Sequence, residues 1–182
     1  YVPINFNYWK LYRENKVEKS NLKFARLNDT FKALHINLSA SLVHKLSDDY
    51  VTHLSNFNHL FPGTIEILEF LSSKYNLHII TNGFKEAQQA KLNQSNIDQY
   101  FLTVTNSEMV GVKKPNPKIF HFALKAANAT IENSLMIGDN LEADIKGALN
   151  IGMDAICFNY HNEVLSSNII GIDHLIELKN YI

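Results

Sequence analysis

The sequence predicts an α/β protein in which a parallel sheet is flanked by helices and preceded by a helical segment. Three observations predict it. From Gly63 onward, short apolar runs alternate with helical patterns over short connections. That alternation is the mark of a parallel sheet covered on both faces. Polar residues with chemical potential follow several of the apolar runs directly, where open α/β sheets form their ligand crevice. Finally, 182 residues at 46% hydrophobic composition suffice for one core domain plus a small insert.

Residues 1 to about 59 read as helical. Phe24, Leu27, Phe31 and Leu34 recur at spacings of three and four, an amphipathic stripe. Leu38, Leu42, Val43 and Leu46 continue it after a break at which Ser39 is placed to cap the next helix, and Val51 and Leu54 extend it. Tyr8, Trp9 and Tyr12 form an aromatic cluster at helical spacing. Such a stripe packs a core or, alternatively, stacks on a nucleobase. Arg13 and Arg26 face either a substrate or the solvent.

Beyond Gly63 the elements follow in order. Thr64–Tyr75 is a helix, Leu77–Thr81 a strand and Phe84–Gln94 a helix. Leu102–Thr105 is a strand, Lys118–Asn128 a helix and Leu135–Gly138 a strand. Glu142–Asn150 is a helix, Ala155–Asn159 a strand, and Ile169-Ile170 a short final strand. Asp173 then caps a last helix, His174 to Tyr181.

With 17 basic and 18 acidic residues the formal net charge is −1. No basic field invites a nucleic-acid polymer. No apolar run reaches membrane-spanning length. Cys157 is the sole cysteine and sits inside the run Ala155-Ile156-Cys157-Phe158, so it reads as a buried, inert thiol. A disulfide framework is excluded, which suits the cytoplasm. The eight histidines show no metal-ligand spacing, and His35, His44, His53 and His59 read as solvated.

Three segments carry chemistry. In Gly138-Asp139-Asn140-Leu141-Glu142-Ala143-Asp144, two carboxylates five residues apart follow an apolar run and open a helix. Mg²⁺ takes one or two carboxylates plus water and a substrate phosphate. In Thr81-Asn82-Gly83, a hydroxyl and backbone N–H groups stand at a strand-to-helix turn and form an anion cradle. In Lys113-Lys114-Pro115-Asn116-Pro117, Pro115 biases Lys114 toward an extended backbone, and Pro117 suits the first turn of a helix. A fixed ammonium at Lys114 is a point charge for a phosphate. Lys113 reads as its solvated neighbour.

Taken together, Thr81, Lys114 and Asp139 with Asp144 resemble the second, third and fourth motifs of the haloacid dehalogenase superfamily. The resemblance covers about residues 60 to 165. Phe61-Pro62-Gly63-Thr64 is similar to the family's return from cap to core. The Thr81–Phe84 and Gly111–Asn116 stretches are most similar to the pyrimidine-nucleotide 5′-nucleotidases. The resemblance implies a Rossmann-like core at residues 61–182 and an inserted helical cap, here partial, at residues 1–60. It also implies the family's first motif, Asp-x-Asp-x-Thr, on the central strand. Asp29, Asp48, Asp49, Asp98, Asp154 and Asp173 do not fit that motif, and the chain begins at Tyr1. The expectation is that it starts within the cap, with about forty residues of the family layout upstream. In that layout the first strand lies between Leu77–Thr81 and Leu135–Asp139. Without it two apolar edges stay open, so these residues alone are expected to fold poorly and to be inactive.

The implied activity is Mg²⁺-dependent hydrolysis of a small phosphate monoester, a nucleoside 5′-monophosphate, through a phosphoaspartyl intermediate on an upstream aspartate. Asp139 would hold Mg²⁺ with Asp144 beside it. Lys114 would neutralise phosphoryl oxygens. Thr81, with the N–H groups of Asn82 and Gly83, would bind the transferring group. Two other readings stand beside this one. A 2-haloacid dehalogenase shares fold and lysine but needs no metal, and an unneutralised Asp139/Asp144 pair would repel its anionic substrate. A catalytically inactive phosphate-binding or regulatory protein would lack the upstream motif altogether. The oligomeric state is left open.

Overall fold

Helical spacing builds the first part of the chain. The computed structural model describes residues 1–182 and divides them into two units, Tyr1–Phe57 and Asn58–Ile182. The first unit holds α1 (Val2–Arg13), α2 (Lys19–Ala33) and α3 (Ala40–His53). Pro3 stands in the first turn of α1, where its missing N–H costs nothing. The Ser39 hydroxyl accepts the Leu42 N–H at 3.3 Å and caps α3. Tyr12, Leu22 and Val43 form the buried interior. Tyr8 donates its hydroxyl proton to Asp29 Oδ2 at 2.5 Å and ties α1 to α2. Burial, then the Asp29 hydrogen bond, pushes the Tyr8 phenol up to about 12.

The stripe expected on α2 is corrected in part. Leu22 and Arg26 are its buried positions, and Leu34 is 61% exposed. The helix stops at Ala33, and His35 at φ 58° turns the chain away, so Leu34 falls beyond the packed face. Arg26 is not solvated but only 3% exposed. Its guanidinium donates to Asn5 Oδ1 at 3.1 Å and lies 4.7 Å over the Tyr50 ring.

The second unit alternates helices and strands. It runs α4 (Thr64–Ser72), β1 (Leu77–Thr81), α5 (Lys85–Gln94), β2 (Phe101–Asn106), a short α6 (Ser107–Val110), α7 (Pro117–Ala127) and β3 (Leu135–Gly138). A π-helical turn, Leu141–Lys146, then runs into α8 (Gly147–Leu149). The strands β4 (Asp154–Phe158) and β5 (Ile170–Ile172) and a 3₁₀ turn, Leu175–Asn180, complete it. Gly63 opens α4 at φ 75°, a backbone position that favours glycine. Asn116 caps α7 by accepting the Lys118 N–H, Pro117 is its first residue, and Asn128 closes it in the left-handed region. No helix is long and apolar enough to cross a membrane.

All strand pairs are parallel. β1 pairs with β2, and β3 pairs with β4, which pairs with β5. These are two ladders where the alternation predicts one sheet. β1 stands at one edge of its ladder and β3 at one edge of the other. Side-chain alternation assigns opposite faces to opposite layers. Ile156, Phe158 and Ile172 pack with Ile67 and Leu71 of α4 and with Leu178. Met136 packs on the other face with Ile119, Phe120 and Leu124 of α7 and Ala148 of α8.

Three elements differ from their expected form. α4 ends at Ser72 instead of Tyr75, because the Ser72 and Ser73 hydroxyls bond back to the Glu69 and Phe70 carbonyls. The expected helix Glu142–Asn150 starts as a π-turn, in which the Ile145 N–H reaches the Asn140 carbonyl. The last helix is a 3₁₀ turn, and His174, not Asp173, stands at its cap, its N–H donated to Glu177 at 3.2 Å.

Phe120 is fully buried at the centre of the α7 layer. Phe120→Ala should lower unfolding stability by about 3–5 kcal/mol. Urea denaturation of the full-length protein checks this, and a loss under 1 kcal/mol would show that the layer is loosely packed.

Candidate active site

Strand ends position the polar residues of the second unit. Thr81 is the last residue of β1, and its hydroxyl accepts the Gly83 N–H at 2.9 Å. That N–H, expected to face a phosphate, is therefore engaged inside the turn. A hydroxyl that accepts keeps its own proton to donate, so Thr81 itself remains able to hold a phosphoryl oxygen. Asn82 does something its sequence position did not suggest. Its side-chain amide donates to the Lys114 carbonyl at 2.9 Å and accepts the Lys114 N–H at 2.8 Å. This two-point clasp fixes the backbone from which the lysine departs.

Lys114 is 7% exposed. Its ammonium donates to the Ile80 carbonyl of β1 at 2.7 Å and meets Asp144 Oδ1 at 2.6 Å. An ammonium has three donors, so one remains beyond these two contacts. Lys113, its neighbour, is half-buried instead of fully solvated.

Asp144 is 5% exposed and lies in the π-turn after β3. Its second oxygen accepts the Asn140 N–H at 3.2 Å. The carboxylate reaches this place because residue 138 is glycine. A Cβ at Gly138 would stand 2.5 Å from both Cβ and Oδ2 of Asp144. Both Asp144 oxygens are thus taken, which suits an anchor for Lys114 better than a direct cation ligand. The sequence argument that set an unneutralised carboxylate pair against an anionic substrate is corrected accordingly. Lys114 neutralises Asp144, and Asp139 alone is left unbalanced by a permanent positive charge.

Asp139 directly follows β3, and its side chain is 54% exposed. His161 Nε2 lies 3.0 Å from its Oδ2, which leaves Oδ1 for a ligand. No three His, Cys, Asp or Glu side chains gather as a metal cage. Mg²⁺ does not need one, since a carboxylate, water and substrate oxygens fill its shell. Asp139 therefore fits a hard cation. The neighbouring groove, ≈ 290 Å³, is walled by Phe61, Phe158 and Tyr160. Cys157 is 1% exposed, and burial, then nearby carboxylates, pushes its thiol pKa up. It is an inert core thiol.

His161 was not singled out by its spacing. The signal available was its place just past an apolar strand, at the same sheet edge as Asp139. Gly138→Ala should displace Asp144 and strip Lys114 of its buried partner. Losing one member of such a pair costs about 3–5 kcal/mol. Chemical denaturation checks this, and a variant as stable as the parent would disprove the close-approach role of Gly138.

The fold has counterparts among known proteins. The family model for haloacid dehalogenase-like hydrolases matches residues 6–158. Pyrimidine 5′-nucleotidase YjjG of Escherichia coli is 31% identical over 89% of this chain and 70% of its own length. A glyceraldehyde 3-phosphate phosphatase of Pyrococcus abyssi is 43% identical over 59% of this chain, an alignment that spans 47% of that enzyme. The solved structure of the HAD-hydrolase YfnB of Bacillus subtilis bound to magnesium superposes with a TM-score of 0.87. It is 26% identical, and the match covers 98% of this chain and 78% of that one. The family model spans most of the chain, and the chain belongs to the haloacid dehalogenase-like hydrolases.

Proposed function

We propose that this chain is the cap and core of a Mg²⁺-dependent phosphatase acting on nucleoside 5′-monophosphates. The observation that carries the reading is the Lys114 ammonium, set between the β1 carbonyl and Asp144, with exposed Asp139 after the neighbouring motif strand. Electrostatics favours a cation. Lys114 and Asp144 cancel, and the remaining Asp139 charge would repel a phosphate dianion. Mg²⁺ held by Asp139 would reverse that sign and neutralise phosphoryl charge. The magnesium-bound YfnB structure supports the same choice of metal.

The chain's own residues then have defined tasks. Thr81 donates its hydroxyl proton to a phosphoryl oxygen. Lys114 directs its remaining donor at the same group, and Asn82 keeps that lysine in register. Asp144 holds the ammonium in place. An aspartate on an upstream strand would attack phosphorus as the P–O bond to the nucleoside breaks and the nucleoside leaves as its alcohol, and water would then hydrolyse the phosphoaspartyl intermediate to phosphate and the free aspartate. The rate gain from these residues lies in positioning and fixed charge, the terms that dominate phosphoryl transfer. The nucleotide preference rests on the nucleotidase relatives, and the all-helical unit at residues 1–57 serves as the cap. A lone buried thiol fits the reducing cytoplasm.

The test is phosphate release by the full-length protein from nucleoside 5′-monophosphates and from glyceraldehyde 3-phosphate, with and without Mg²⁺. Pyrimidine nucleotides should be preferred by at least ~10-fold in kcat/KM, a difference of about 1.4 kcal/mol in transition-state binding. A preference for the triose phosphate, or turnover without metal, overturns the reading. Asp139→Asn should abolish turnover. Lys114→Ala should lower kcat by at least ~10²-fold, and Lys113→Ala should change it little. Equal losses at the two lysines would undo the assignment of Lys114. Residues 1–182 alone should release no phosphate.

A further inference from the structure

We propose that His161 positions Asp139 for its cation, an inference that rests on the metal reading above. Asp139 is exposed on a short strand end. An exposed aspartate turns freely about its side-chain bonds and pays that freedom back on binding. Here one oxygen is already held. His161 Nε2 is 3.0 Å from Asp139 Oδ2. An ionised carboxylate only accepts, so Nε2 carries the proton and donates it. The contact orients the carboxylate and directs Oδ1 outward. It also leaves Asp139 one oxygen to offer, which favours one-point ligation, the mode a small octahedral cation accommodates best.

The histidine is itself held by a built loop. Asn159 follows β4, and its side chain clasps the Glu163 backbone from both sides. Its amide donates to the Glu163 carbonyl at 3.1 Å, and its carbonyl accepts the Glu163 N–H at 2.8 Å. The Asn159 N–H donates to Ile172 of β5 at 2.8 Å, which ties the loop to the sheet. Asn162 adopts φ 53° to complete the turn. On the other side the His161 ring packs edge-on against Tyr160 at 5.2 Å, and Tyr160 packs against Phe61 at 4.8 Å. The imidazole is only 24% exposed. A side chain placed by a clasp, a strand contact and a ring contact is a prepared partner for Asp139, not a chance surface neighbour. Hydrogen-bonded partners of metal-binding carboxylates set ligand orientation, and their loss weakens metal binding about 10–100-fold.

The experiment is Mg²⁺ and Mn²⁺ binding to the full-length protein, by calorimetry without substrate, for wild type, Asp139→Asn, His161→Ala and His161→Gln. Asp139→Asn should bind neither metal. His161→Ala should bind at least ~10-fold more weakly, with an unchanged melting temperature in the absence of metal. His161→Gln, which keeps a donor, should recover most of the affinity. In steady-state assays His161→Ala should raise the Mg²⁺ concentration for half-maximal rate by the same factor, while kcat at saturating metal moves far less. Wild-type affinity in His161→Ala, with Asp139→Asn inactive in binding, overturns the role of His161 and leaves the metal reading intact. Absence of metal binding by wild type overturns both. A fall in metal-free melting temperature for His161→Ala together with unchanged affinity reduces His161 to a structural loop residue.

Discussion

The Lys114 ammonium is the contact on which the second unit depends. It touches a β1 carbonyl and a carboxylate from the turn after β3, so one charge links the two parallel ladders. At 7% exposure its desolvation is costly, and Asp144 at 2.6 Å compensates it. Neither group is tolerable there alone. Gly138 leaves the space for Asp144, the π-turn swings it inward, and Asn82 holds the lysine backbone. Each of these local features is unfavourable or neutral by itself. Together they satisfy every polar atom of the pair that faces the protein.

The same arrangement sorts the two aspartates into different jobs. They lie five residues apart in sequence and both follow β3. The π-turn buries one and leaves the other at the surface. Buried Asp144 is spoken for by a lysine and a backbone N–H. Exposed Asp139 keeps an oxygen for an external partner. One is a scaffold charge and the other stays open to solvent, and the difference lies in burial, not in residue type.

Much of this was legible in the chain. β1 was readable to the residue, because its apolar run is bounded by turn-forming residues on both sides. α7 was readable from Pro117 at its start and from its apolar spacing. The sequence placed Thr81 at the end of β1 and Asp139 directly after β3, where the structure has them, whereas α6 stands between β2 and Lys114 and Asp144 lies within the π-turn. The rest needed three dimensions. A π-turn has no periodicity of its own in sequence, so the ion pair of Asp144 with Lys114 was not readable. Asn82 and Gly83 presented backbone donors on paper. The structure spends the Gly83 N–H on Thr81 and the Asn82 amide on Lys114. The α2 stripe misled because Leu34 satisfies the period but lies past the helix end.

His161 shows the limit most clearly. It is 22 residues from Asp139 and shares no motif with it. The two meet because parallel strands β3 and β4 are adjacent in register, with Gly138 opposite Cys157. Whatever follows one strand is therefore brought beside whatever follows the other. Adjacent parallel strands deliver their trailing loops to one edge, so polar residues a few positions past each strand become neighbours without any sequence signature. The fold, more than the motif, selects the partner of the exposed carboxylate. That partner is a donor with one proton to give, on a loop held by its own hydrogen bonds. A lysine there would have neutralised Asp139 outright. The Nε2 donor of His161 orients the carboxylate.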